Sequence, residues 1–211
     1  MTIVSLKTET KGELNRVELS DGSLFSFRIC YLPPELNNTE LRDPNTTAGR
    51  EITAAEESAF RHASACLRAE KIALRLIARA EQCIFGLTRK LEKRGHEAAC
   101  VNAVISRLSE LKLIDDRRFA QLWLESRLRL ARSPRRLLSS LCGRGIDRED
   151  AEAALKAALD EDAEFALLTR FVKRHSRKSG GDGEGDYRSL KYLLKSEGFS
   201  QAAIQRFFDS W

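Results

Sequence analysis

The stretch Ser133-Pro-Arg-Arg-Leu-Leu-Ser-Ser-Leu-Cys-Gly-Arg-Gly145 reads as one short helix with its start and stop written in. Ser133 before Pro134 marks a helix N-terminus: a capping hydroxyl, then a residue whose fixed φ suits the first turn. Leu137 and Leu141 stand four apart on one face, and Gly145 supplies the positive φ that ends a helix. The same phrase recurs upstream as Leu87–Leu91–Gly95 and downstream as Leu190–Leu194–Gly198, with 50 and then 53 residues between glycines. Apolar residues at helical spacing follow each glycine: Val101/Val104/Ile105/Leu108, Ala151/Ala154/Leu155/Ala158 and Ile204/Phe207/Phe208/Trp211. Twelve residues before each glycine stand Cys83, Ser133 and Asp186, and two after it stand Glu97, Asp147 and Ser200. A period near fifty built from helices predicts an array of units, and arrays present a long surface to a partner.

Each unit is therefore expected to be helix, short link, helix, glycine turn, helix. The expected division is a β appendage over 1–31, a linker over 32–50, and helical repeats over 51–114, 115–159 and 160–211. The third carries a Gly-rich insert at 178–186 that is acidic, lacks the P-loop pattern, and reads as a connector. The appendage is a two- or three-stranded meander over Thr2–Thr8, Glu13–Leu19 and Leu24–Ile29, with Asp21-Gly22 as its turn. Such a small sheet is marginal alone and needs the helical body to dock on, or else serves as a mobile appendage. The linker holds three of the four prolines. The first long helix begins with the capping box Thr53-Ala-Ala-Glu56 and runs to about Arg79, with Ile72, Ala73, Leu76, Ile77 and Ala80 as its apolar stripe.

At 211 residues and 42% hydrophobic content the chain can bury a sizeable core. No apolar run reaches membrane-spanning length and no signal peptide opens the chain, so a cytoplasmic location without membrane contact is expected. The five cysteines (Cys30, Cys66, Cys83, Cys100, Cys142) form no CxxC pair, and the three histidines lie far apart. From spacing alone they read as reduced core residues, with no metal site and no cofactor.

Charge is where function shows. The net charge of +5 is unevenly spread. Between Ser126 and Arg148, seven arginines (Arg127, Arg129, Arg132, Arg135, Arg136, Arg144, Arg148) face the single acid Asp147. Residues 149–164 are acidic, and Arg170–Lys178 is basic again. Guanidinium forks match phosphate and carboxylate, so the seven arginines with Lys173, Arg174, Arg177 and Lys178 are the candidate partner- or DNA-binding face. Arg136, Ser140 and Arg144 form one stripe beside the core positions Leu137, Leu138 and Leu141; Arg132 and Arg135 flank the helix N-terminus, and Arg129 is expected to pair with Glu125. The aromatics Phe119, Trp123, Phe165, Phe171, Phe207 and Phe208 mostly fit core periodicity, as does Leu130. Any nucleic-acid contact is thus expected at backbone phosphates. Adjacent carboxylates at Asp115 and Asp116 diverge on a helix, which favours capping over catalysis. No catalytic constellation is found, and the chain reads as a non-enzyme.

Three stretches, Leu87-Thr-Arg-Lys-Leu-Glu-Lys-Arg-Gly95, Val104–Ala120 with its Ile114-Asp-Asp-Arg-Arg-Phe-Ala120 segment, and Ser133–Ile146, resemble the RecX family of bacterial recombination regulators. The resemblance covers about 69–211. It implies a mainly α fold of three tandem three-helix repeats forming a curved, elongated solenoid. It also implies binding to the RecA recombinase filament, with inhibition of its ATPase, strand-exchange and coprotease activities. Some relatives touch DNA, so single- or double-stranded DNA is a further expected partner of a monomeric chain. The chain departs from the family at Cys83 and Gly86-Leu87, where the second helix of the first repeat is expected to start less sharply.

Overall fold

The computed structural model describes residues 1–8, 14–36, 48–179 and 187–210, with side chains described for all of these but 176–179. Residues 37–47 of the expected linker, Asp186, Trp211 and most of the 178–186 insert therefore lie outside the described residues. The rest is mostly helical behind a small antiparallel sheet.

Strands β1 (Ile3–Thr8), β2 (Leu14–Leu19) and β3 (Leu24–Arg28) form a meander in that order. Its β2–β3 turn follows from Asp21, whose carboxylate accepts from the Ser23 N–H at 2.9 Å, and from Gly22 at φ +81°. Residues 49–52 run along the outer edge of β1, with the Ile3 N–H donating to the Arg50 carbonyl at 2.9 Å. That pairing covers an edge that would otherwise be open to another strand.

Among the described residues nine α-helices follow in three triplets: α1 (Ala54–Ile77), α2 (Ile84–Glu92), α3 (Ala98–Glu110); α4 (Asp116–Arg127), α5 (Pro134–Cys142), α6 (Arg148–Ala158); α7 (Glu161–Ser179), α8 (Tyr187–Ser196), α9 (Gln201–Asp209). Helix α1 opens with both halves of the Thr53–Glu56 capping box. The middle helix of every triplet stops the same way. The N–H groups of His96, Ile146 and Phe199 donate to the carbonyls of Leu91, Leu141 and Leu194 at 3.4, 3.3 and 3.2 Å. The glycine between sits at φ +81°, +81° and +86°. Each is a Schellman stop, the geometry in which a residue without Cβ is least strained. Lys112 ends α3 in the same way at φ 54°, which no glycine announces.

By packing, the chain divides into two units: Met1–Glu81 with Leu87–Ile114, and Gln82–Gly86 with Asp115–Trp211. In the first, β3 lies on α1, with Phe27 stacked on Phe60 at 5.2 Å between ring centres. The buried face of α1 accordingly runs through Phe60, Ala63, Cys66, Leu67, Glu70 and Ala73. Of the stripe expected from periodicity, only Ala73 is buried; Ile72, Leu76 and Ile77 are half-buried, and Ala80 lies exposed beyond the helix end. The sheet decides which turns of α1 are covered.

A buried acid anchors that sheet. Glu70 is 2% exposed and receives Arg28 Nε on both oxygens, at 3.0 and 2.8 Å, and the Tyr31 hydroxyl at 3.1 Å; Arg107 Nε stands 3.7 Å away. Burial, and then the facing carboxylate, push the Tyr31 hydroxyl well above its ordinary pKa, so it remains a donor. Removing one member of a buried charge network strands the others. Arg28 and Arg107 keep 24% and 19% side-chain exposure, which moderates the penalty. Glu70→Ala is expected to cost about 2–4 kcal/mol in urea unfolding followed by circular dichroism, and Glu70→Gln less. A loss under about 1 kcal/mol in the alanine variant would mean the aromatic stack alone holds the sheet.

Candidate functional site

The second unit buries Trp123, Leu124, Leu137, Leu141, Leu167, Leu168, Leu194 and Ile204 in one core. Helix α5 contributes Leu137 and Leu141 to that core, and its N-terminus is capped in an unexpected way. Ser133 occupies the N-cap position but its side chain makes no cap bond; its hydroxyl donates to the Glu197 carboxylate. The second free N–H, that of Arg135, donates to the Glu197 carbonyl at 3.0 Å. Glu197, just past the end of α8, thus holds the start of α5 with both backbone and side chain. Helix α2 is treated alike: the Ile84 N–H donates to Asp116 Oδ1 at 2.8 Å. Cys83, instead of capping, donates its thiol to the Arg144 carbonyl at 3.5 Å. The helix expected to begin loosely is therefore capped from another element.

This resolves the adjacent aspartates. Asp115 caps its own helix, accepting from the Arg117 and Arg118 N–H groups at 2.9 and 3.1 Å, while Asp116 caps α2. Burial holds the Asp116 carboxyl above its ordinary pKa despite the bond from Ile84. Both carboxylates are occupied by capping.

The arginines separate into three groups. Arg144 and Arg127 lie over the Trp123 ring at 4.8 and 5.7 Å, and Arg144 Nη1 donates to the Ser140 carbonyl at 2.7 Å. These two pack the core edge. Arg148 pairs with Glu152 at 2.8 Å, and Arg135 Nη1 donates to the Ser196 carbonyl at 3.2 Å. Arg129 is exposed, and among the described residues no ion pair joins it to Glu125. Leu130, placed on the core stripe by periodicity, lies past the end of α4 and is 40% exposed.

The remaining group converges. Arg132 before α5, Arg136 on α5 and Arg174 on α7 line one cleft of about 680 Å³, together with His175, Phe171 and Glu197. Arg136 is 73% exposed and its Nε stands 4.0 Å from Glu197 Oε2. Arg174 Nη1 donates to the Ala131 carbonyl at 3.3 Å, and Arg170 Nη2 to the Leu128 carbonyl at 3.1 Å. Two cations of α7 thus grip the carbonyl-rich exit of α4, where the helix dipole favours positive charge. Lys173 is exposed on the same helix; the side chains of Arg177 and Lys178 lie outside the described residues. Three arginines against one glutamate, from sequence segments about forty residues apart, make a cleft suited to anions.

Helix α8 adds an aromatic that stands outside the core. Tyr192 is 77% exposed, near Arg188 and Lys195. The signal was present: Leu190 and Leu194 face the core, and position 192 lies half a turn from both.

Tandem helical triplets, the second unit carrying an arginine-lined cleft, place the chain among helical-repeat proteins. The profile of the RecX second three-helix domain matches residues 115–155. The regulatory protein RecX of Treponema pallidum is 33% identical over 159 residues, 75% of this chain and 94% of that protein. That of Halorhodospira halophila is 34% identical over 136 residues, 63% of this chain and 81% of that protein. A crystal structure of a regulatory protein RecX superposes with a TM-score of 0.73 at 17% identity, over 99% of this chain and 98% of its own. RecX from Lactobacillus salivarius gives 0.56 at 20% identity, over 70% of this chain and 97% of that one. The chain belongs to the RecX family of regulatory proteins. The first of these structural matches takes in the sheet as well as the helices. No helix among the described residues is long and apolar enough to cross a membrane.

Proposed function

We propose that this RecX-family chain binds the RecA recombinase filament on single-stranded DNA and inhibits its ATPase, strand-exchange and coprotease activities. The convergence of Arg132, Arg136 and Arg174 on one cleft supports this reading, because a nucleoprotein filament offers phosphates and acidic side chains along its length. The cleft is a positioning device, and no bond of the partner needs to be broken. Added at stoichiometric amounts, the protein is expected to slow RecA ATP hydrolysis on single-stranded DNA. An unchanged rate at saturation would overturn the reading.

The same cleft supports a second reading, a module that grips DNA phosphates without the recombinase. Phosphate contacts specify little sequence and weaken steeply with salt. Binding to naked DNA that falls steeply with salt, in the absence of recombinase, would select this reading.

A further inference from the structure

We propose that His62, Cys66 and Cys100 form a binding site for a thiophilic divalent cation, Zn²⁺, within the first unit. His62 and Cys66 lie four residues apart on α1 and so share one face, and Cys100 comes from α3, which packs against α1. Their ligand atoms all lie within 4.8 Å of one another. The Cys66 Sγ is 3.5 Å from His62 Nε2, and the Cys100 Sγ is 3.6 Å from His62 Nδ1. In a tetrahedral zinc site, bonds of about 2.3 Å to sulfur and about 2.0–2.1 Å to nitrogen place neighbouring ligand atoms about 3.5 Å apart.

The two sulfurs flank the imidazole, one near each nitrogen. One ring nitrogen and the two sulfurs already lie within 4.8 Å of one another, and the broad Cβ–Cγ torsion leaves the ring free to turn toward both. Both cysteines are buried while His62 is half-buried, so the histidine side leaves the fourth position to solvent. Two thiols and an imidazole are soft donors that favour zinc over calcium or magnesium. Binding converts both thiols to thiolates: the ion gains two Zn–S bonds and one Zn–N bond, and two protons pass to water. The ion would staple α1, which carries the sheet, to α3.

The full chain, reduced with a phosphine and stripped of metal, is titrated with Co²⁺ as the probe and then with Zn²⁺. The expected result is one Co²⁺ per chain, with thiolate-to-metal charge-transfer absorption in the near ultraviolet that Zn²⁺ bleaches. Cys66→Ser and Cys100→Ser should each weaken binding by about 100-fold or more, at or beyond the upper end of the roughly 10–100-fold typical of outer-shell losses. Cys142→Ser, in the other unit, should change nothing. Absence of the charge-transfer band, or its survival in the Cys66→Ser/Cys100→Ser double variant, would overturn the site. Because serine variants can fail to fold, X-ray absorption on the zinc-loaded unmodified chain supplies an independent readout. Two sulfurs and one nitrogen are expected there; a shell with fewer than two sulfurs overturns the proposal.

Discussion

Replacing Arg132, Arg136 and Arg174 together with alanine is expected to lower affinity for a single-stranded DNA probe on the order of 100-fold. At a salt-screened surface each contact contributes about 1 kcal/mol net, so three give about 3 kcal/mol, and at about 1.4 kcal/mol per factor of ten that is roughly two orders of magnitude. The same variant should flatten the dependence of log K on log salt by about 2, since each single-strand phosphate contact contributes about 0.7. If the recombinase filament is the partner, the concentration needed for inhibition should rise in parallel. Arg136 is largely exposed, and Arg174 gives up one 3.3 Å bond to the Ala131 carbonyl, so helicity should be preserved. Arg144→Ala is the contrasting variant. It removes a cation over Trp123 and a bond to Ser140, which should lower stability by about 1 kcal/mol while leaving the salt slope unchanged. If Arg144→Ala flattens the slope and the triple variant does not, the cleft is not the contact.

The second large effect separates two glycines that the sequence writes identically. Gly95 and Gly145 both follow a Leu–Leu pair and both adopt φ +81°. Alanine at either position costs about 1–2 kcal/mol for the left-handed backbone. At Gly95 that is the whole cost, because a Cβ there meets nothing within 4 Å. At Gly145 it would stand 2.5 Å from the Phe85 Cβ and 2.8 Å from its Cγ. Those atoms sit next to the backbone and cannot swing away, so overpacking adds about 1–3 kcal/mol. Gly145→Ala should therefore lose about 2–5 kcal/mol in urea unfolding, clearly more than Gly95→Ala. Equal losses would show that the first turn of α2 yields to the new methyl group.

Much of the fold was legible because its determinants are local. The Thr53 capping box, the three Schellman glycines and the Asp21-Gly22 turn each satisfy backbone groups within five residues, and a pattern that short survives in the sequence. The same locality explains the errors. Ser133-Pro134 has the pattern of a serine that caps its own helix, yet Glu197, sixty-four positions later, takes that hydroxyl instead. Arg129 and Glu125 have the right spacing for a pair and do not form one. The seven arginines were found as a charge cluster, but spacing could not tell Arg144, spent on Trp123, from Arg136, which faces the cleft.

Nor could it bring Arg174 beside Arg132, or Cys100 beside His62. The triplets, their stops and the sign of the surface charge are written along the chain, because helix periodicity and capping act over one or two turns. Which cations share a cleft, which carboxylate caps which helix, and which cysteines meet a histidine are set by three-dimensional packing. Those outcomes depend on how buried faces pack across thirty to sixty residues of chain, and packing leaves no periodic trace in the order of the residues.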